Sequence, residues 1–323
     1  MKGLAVALPL LLLGAAAPVS PPPRLAFPVA CSLGTTCAIQ SYRDDDPGPA
    51  VRDYACHGRT YQAHDGTDIR LPSMMAQRRG VNVLAAAPGT VLRSRDGLAD
   101  RSIRDASAGA VAGQECGNGL VVDHGGGWET QYCHMARGSI VVRPGDAVRA
   151  GTVLGKVGLS GDTEFPHLHL SVRHDSKSID PFAWGAPANA CQGGRSLWAA
   201  TPPYREGEIL VSGFAGAPVT MGQVQDAGSE LAPRPTRKSP LVAFVQSIGL
   251  QAGDVQRLIL QGPDGAVLAD NRAPALERDK AQVLLFAGRK AQAGGWKAGI
   301  YRAAYSVTRR GKIVIARTWE ITL

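Results

Sequence analysis

Thirty-nine glycines and 22 prolines, close to a fifth of the 323 residues, punctuate this chain. A helix interior loses about 1 kcal/mol at each glycine and about 3 kcal/mol at each proline, so a bundle of long helices is excluded and short strands joined by turns are favoured. The apolar residues agree. Between Cys31 and Cys191 they come in brief alternating runs, such as Gly119 to Asp123, Ser139 to Val142 and Leu168 to Val172, with Gly, Pro and Asp between them. None of these runs has a helical period. The polar, small-residue stretch 95–114 reads as a long surface loop inserted between strands.

The C-terminal part repeats the pattern more plainly. Residues 208–213, 241–250, 256–260, 266–269, 282–286, 300–308 and 313–323 are strand candidates. Tyr301, Ala303, Tyr305 and Val307 alternate onto one face, and Ile313, Ile315, Trp319, Ile321 and Leu323 do the same. About seven strands in about 115 residues is the pattern of an immunoglobulin-like sandwich, without the cysteine pair that marks true immunoglobulin domains. All six cysteines precede residue 192, and Thr201-Pro202-Pro203 follows them. The expected organisation is therefore all-β, with a first domain over 18–198, a linker over 199–206 and the sandwich over 207–323.

Lys2, the apolar run Leu4 to Gly14 and the small residues Ala15 to Ala17 have the layout of a secretory signal peptide, 1–17. The run is shorter than the roughly 20 residues that span a bilayer, so a cleaved, exported product is expected, periplasmic or extracellular, with no membrane span after cleavage. In an oxidising compartment Cys31, Cys37, Cys56, Cys116, Cys133 and Cys191 are expected to form three disulfides. Cys31 and Cys37 are near enough to close a small loop. Cys116 and Cys133 would clamp neighbouring strands if Gly125-Gly126-Gly127 is the turn between them, and Cys56 would then pair with Cys191. The net charge of +8 comes without any Lys/Arg block, which gives no sign of nucleic-acid binding and is compatible with an anionic polymer.

The chemistry lies in histidines. His64 and Asp68 stand four residues apart across a glycine-containing turn, and His167-Leu168-His169 sits in a strand-like run, where residues two apart project together. Two imidazoles from one strand with His64 and Asp68 can supply the nitrogen and oxygen ligands that Zn²⁺ favours, with His134 as a fifth candidate. Alternation also puts Tyr132 and His134 on one face, with Cys133 bridging on the far side. His57 is undecided, His124 and His174 read as exposed structural residues, and Asp162 and Glu164 as a solvated loop beside the H-x-H strand. Tyr54 and Tyr61 are minor candidates for an oxyanion donor.

At this point the chain resembles the lysostaphin-type (LytM-like) zinc peptidases. The ordered blocks are His64-Asp65-Gly66-Thr67-Asp68-Ile69, Val83 to Val91, Gly117 to Gly125, Thr130-Gln131-Tyr132-Cys133-His134-Met135, Gly145 to Gly151, Ser160-Gly161 through His167-Leu168-His169-Leu170, and Ile179 to Phe182. The resemblance covers about His64 to Phe182 and implies a small antiparallel β-fold with a groove. It assigns His64, Asp68 and His169 as metal ligands and His134 and His167 as the histidines that assist the chemistry. Departures are the 95–114 insertion, Leu170 where Phe is common, and the three disulfides.

The resemblance and the residues together imply a secreted zinc metalloendopeptidase with one Zn²⁺ per chain, hydrolysing peptide cross-links of cell-wall peptidoglycan. No H-E-x-x-H occurs, so no helix-borne glutamate is available as base and a histidine must take that part. Which of His134 and His167 does so is open. The alternative is a groove protein that activates another wall hydrolase, and a second is an enzyme acting on a secreted protein. The sandwich is left for packing or for binding a protein partner.

Overall fold

The computed structural model describes residues 21–105, 111–187, 190–191 and 193–323. The expected leader, 1–17, and residues 106–110 of the insertion lie outside the described residues.

The first unit comprises β1 (Ala38–Ser41), β2 (Thr67–Arg70), β3 (Asn82–Leu84), β4 (Gly89–Arg95), β5 (Asn118–Gly125), β6 (Trp128–Met135), β7 (Ala147–Val148), β8 (Val153–Lys156), β9 (His167–His174) and β10 (Lys177–Ile179). Eight of them form one antiparallel sheet in the order β1-β2-β9-β6-β5-β4-β7, with β10 paired to β9, while β3 and β8 pair in a separate ribbon. The glycine run does make the β5–β6 hairpin, and Gly126 and Gly127 both take positive φ, 58° and 80°. Only a residue without a Cβ takes two such positions in succession cheaply, which is why the turn falls there.

Cross-strand partners share a face, so the register sorts the sheet into two sides. Leu168 pairs with Ile69, Leu170 with Thr67 and Tyr132, and Val172 with Thr130. All are buried, and their apolar members close a core with Leu25, Val83, Leu154, Phe182 and Trp198. The opposite side carries Asp68 beside His169, Arg70 beside His167, and Gln131 beside Ser171. The three expected disulfides, Cys31–Cys37, Cys56–Cys191 and Cys116–Cys133, are all formed.

The described part of the stretch after β4 is a strand-free surface loop, and it is tied down: Asp96 accepts from the backbone N–H groups of Gly138 and Ile140, and Asp100 from those of Arg137 and Leu159. One expectation needs correction here. A helix, α1 (Met74–Arg79), forms where no helical period is legible. It buries no residue, so it needs no apolar stripe. Ser73 Oγ caps its start by accepting from Ala76 N at 3.2 Å, and Gly80 ends it at φ 81°.

The second unit comprises β11 (Glu208–Ala215), α2 (Met221–Ala227), β12 (Leu241–Leu250), β13 (Val255–Gln261), β14 (Val267–Arg272), β15 (Lys280–Arg289), β16 (Ile300–Arg309) and β17 (Lys312–Thr322). Its sheets, β11-β12-β15 and β14-β13-β16-β17, face each other across a core that includes Leu241, Leu258, Tyr301 and Tyr305. Seven antiparallel strands in two sheets are immunoglobulin-like, with the fourth strand beside the third. Tyr301, Ala303, Tyr305 and Val307 point inward as expected, but Ile313 is 66% exposed. The pairs Val307 with Ile315 and Thr308 with Ile313 flank a bulge, which turns Ile313 onto the opposite face.

The sandwich packs on the β1 end of the first sheet. Ala38 joins Leu210, Val211, Val242, Phe244 and Ile248 in one apolar cluster. Arg59, buried, donates Nη1 to Arg205 O at 2.8 Å and Nη2 to Ile39 O. No helix among the described residues is long and apolar enough to cross a membrane.

Candidate metal centre

The loop before β2 and the strand pair β2–β9 bring the histidine motifs together. His64 Nε2, Asp68 Oδ1 and His169 Nδ1 form a triangle with sides of 3.1, 3.1 and 2.9 Å. A tetrahedral Zn²⁺ with bonds of about 2.1 Å has ligand–ligand edges of about 3.4 Å, so the triangle is near the size such an ion requires. Among the described residues this is the one group of His, Cys, Asp or Glu that can hold a metal, and all three members are buried.

The outward-facing nitrogens settle the tautomers. His64 Nδ1 lies 2.6 Å from the carbonyl oxygen of Tyr42, which can only accept, so Nδ1 carries the proton and Nε2 a lone pair. His169 Nε2 lies 3.0 Å from Asp65 Oδ1 and donates to it, with Ser171 Oγ also at 3.0 Å. Its Nδ1 is then also a lone pair. Two imidazole lone pairs and a carboxylate oxygen converging within about 3 Å repel one another unless positive charge lies between them. The same crowding draws a proton. Burial alone would lower His169, but hydrogen bonds to Asp65 and Asp68 lift it to about 9. Burial resists ionisation of Asp68, yet the imidazoles of His64 and His167 hold it well below the carboxylate range. The hydrogen bond to His169 takes Asp65 to about 2.

Gly66 is what permits this approach. A Cβ there would stand 2.6 Å from His169 Nε2 and 2.6 Å from Leu170 O, contacts that neither the ring nor the backbone can relieve locally.

His167 and His134 stand on the other flank, their rings 4.6 Å apart. His167 Nδ1 donates to Phe165 O at 3.0 Å, with Thr163 Oγ1 also at 3.0 Å, and its Nε2 faces Asp68 Oδ1 at 3.4 Å. His134 Nδ1 donates to Ser160 O at 2.8 Å. Burial, then repulsion from His167 and His169, pushes His134 well below the usual imidazole value and keeps it neutral.

His134 reaches the site by a different route from strand alternation. Cys133 is the register partner of His169, so the Cys116–Cys133 disulfide lies on the metal side of the sheet, not the far side. Tyr132 points into the core, where its hydroxyl oxygen accepts from Ala86 N at 2.7 Å and from Thr130 Oγ1 at 3.0 Å. His134 takes φ 61°, which turns its side chain back to the face of Cys133. Both residues line a cleft of about 390 Å³ with Tyr61, Asp65, Glu115, Gln131, Asp162 and Arg173.

Tyr61 stacks on His64 with centroids 4.3 Å apart, whereas Tyr54 packs against Tyr42, Phe182 and Tyr204, outside the cleft lining. His57 stacks on Tyr204, His124 bridges Pro88 O and Thr130 Oγ1, and His174 stacks on Trp128, all structural contacts. Glu164 pairs with Arg104 at 2.5 Å. Sequence reasoning gave no role to Asp65, Ser160 or Thr163, whose parts depend on folding.

Residues 62–181 match the model of peptidase family M23. The DD-carboxypeptidase/endopeptidase Mpg of Neisseria meningitidis serogroup B is 27% identical over 166 residues, covering 51% of this chain and 32% of that protein. The cell division protein DipM of Caulobacter vibrioides is 29% identical over 143 residues, covering 42% of this chain and 19% of that protein. The chain thus spans a third or less of the length of these relatives. The catalytic domain of lysostaphin from Staphylococcus simulans, a solved structure, is 22% identical at a TM-score of 0.29, covering 44% of this chain and 86% of that one.

Proposed function

We propose, from the premise that residues 62–181 belong to peptidase family M23, that this chain is an exported zinc metalloendopeptidase hydrolysing peptide cross-links of peptidoglycan. The observation that carries the reading is the triangle of His64 Nε2, Asp68 Oδ1 and His169 Nδ1, whose remaining imidazole nitrogens are already engaged. Zn²⁺ held there supplies Lewis acidity toward a peptide carbonyl and lowers the pKa of a bound water to about 7.

The chain's own groups do the rest. His134 and His167 each donate Nδ1–H to a backbone carbonyl, which leaves Nε2 of neutral His134, or Nε2 of His167 beside Asp68 Oδ1, to accept a proton from the attacking water and return it to the leaving amine. Asp65 and Ser171 fix the His169 ring, as carboxylates behind ligating histidines do. The Neisseria relative is a DD-carboxypeptidase/endopeptidase, which supports the endopeptidase reading. The disulfides support an oxidising compartment, and the two separate cores support the division at 198 and 207.

Zinc content of the purified chain, paired with fragment release from purified peptidoglycan with and without chelator, tests this. About one Zn²⁺ per chain with chelator-sensitive release is expected. No metal after zinc reconstitution and no release would overturn it.

A further inference from the structure

Arg70 closes β2 on the same face as Asp68, and its register partner on β9 is His167. The side chain is buried, yet it is held by neutral groups. Nη1 donates to Gln40 Oε1 at 2.8 Å, Nη2 donates to Gln282 Oε1 at 3.0 Å, and the guanidinium carbon stands 4.1 Å from the centre of the Phe165 ring. Gln282 lies on β15 of the sandwich. Its Oε1 also accepts from Gln225 at 3.2 Å and Gln246 at 3.0 Å, and Gln40 Nε2 donates to Ala281 O at 3.0 Å. Beyond the guanidinium, the Phe165 ring meets the His167 ring with centroids 4.9 Å apart, while Phe165 O holds His167 Nδ1.

These contacts form a continuous path from the sandwich to His167. A buried guanidinium over an aromatic face is attracted to the ring more strongly than an exposed one, and the planar fork transmits orientation because its donors cannot rotate separately. Taking away the Gln282 acceptor leaves a buried charged donor unsatisfied, and the group that must move in response is the one on which Phe165 rests.

We propose that Arg70 is a positioning residue through which the C-terminal sandwich fixes His167, making the sandwich a structural part of the candidate active site. The proposal rests on the catalytic role given to His167 above.

The test uses full-length Gln282→Leu, Gln282→Glu and His167→Ala. Two readouts are taken: rates on dye-labelled peptidoglycan with zinc loaded, and the imidazole NMR signals of the metal-free chain, with His167 assigned by its loss in His167→Ala. Gln282→Leu is expected to shift the His167 signals and lower kcat about tenfold at unchanged KM and zinc content, and Gln282→Glu, which keeps an acceptor for Arg70, to restore both. A folded Gln282→Leu with wild-type His167 signals overturns the proposal, as does equal damage in Gln282→Glu, which marks a purely structural interface. Shifted signals with wild-type kcat in both Gln282→Leu and His167→Ala would uphold the contact path but remove His167 from catalysis, so the proposal would fall with the reading beneath it.

Discussion

Cys133 and His169 face each other across β6 and β9 as a register pair, which puts a disulfide on the floor of the cleft that holds the candidate metal ligands. The bridge also constrains His134, since Cys116 O accepts from His134 N at 2.8 Å. A non-glycine residue at φ 61° carries about 1–2 kcal/mol of backbone cost and persists only where its surroundings fix it. The Cys116→Ala/Cys133→Ala double variant is expected to lose about 3 kcal/mol of stability, the usual effect of opening a loop of this size. It should also lose activity beyond its unfolded fraction while binding zinc normally. Urea unfolding and rates at a temperature where the variant is folded check this; wild-type kcat would show that His134 holds its place without the bridge.

Asp65 is the next prediction. It accepts from His169 Nε2 and shares that position with Ser171, so Asp65→Asn removes the charge that favours the ligating tautomer. Loss of such a partner weakens metal binding about 10- to 100-fold. Competition against a chromophoric zinc chelator measures it. The fold should be unaffected, because the Asp65 side chain is 47% exposed. An unchanged zinc affinity would mean that Ser171 alone orients the ring.

Two kinds of charge join the units, and they should behave differently. Arg78 with Asp226 and Arg79 with Glu230 are exposed pairs between α1 and α2, so Asp226→Asn and Glu230→Gln should leave the unfolding midpoint unchanged. Arg59 is buried, satisfies carbonyls of Ile39 and Arg205, and stands 4.0 Å from buried Glu208. Arg59→Leu should cost about 3–5 kcal/mol by urea denaturation, because Glu208 is left buried with a weakened partner.

The parts of this structure legible in the sequence are those set by local periodicity. His167 and His169 share a face because strands alternate, and the β5–β6 hairpin follows from consecutive glycines. The three disulfides follow from spacing once the hairpin is placed. Where alternation fails, the sequence misleads: positive φ at His134 puts it on the side of Cys133, and the bulge beside Val307 exposes Ile313. Arg70 looks like any exposed strand arginine in the sequence, because its burial depends on where the sandwich packs. The α2 start was readable in principle, since Thr220 and Gln223 make a reciprocal capping box, but seven residues are too few to show a period.

Asp180 gives the pH prediction. It is buried, its Oδ1 accepts from Phe182 N, and its Oδ2 has no partner among the described residues. Burial, then repulsion from Asp45, lifts it from 3.8 to about 7. The folded chain therefore keeps this proton across a range in which the unfolded chain releases it. Below about pH 4 both states hold the proton and the group has no effect; as pH rises toward 7 the unfolded state gains by ionising, so stability falls, and above 7 the loss is complete. Three units at about 1.4 kcal/mol each set the full change at up to about 4 kcal/mol. Asp180→Asn has nothing to titrate, so its stability relative to the wild type should rise between pH 4.5 and pH 8. Urea unfolding of both forms at the two pH values measures this directly. A difference that stays constant with pH would mean that Asp180 ionises in the folded chain as readily as in the unfolded one, its charge balanced by Arg43, the cation that most opposes the shift.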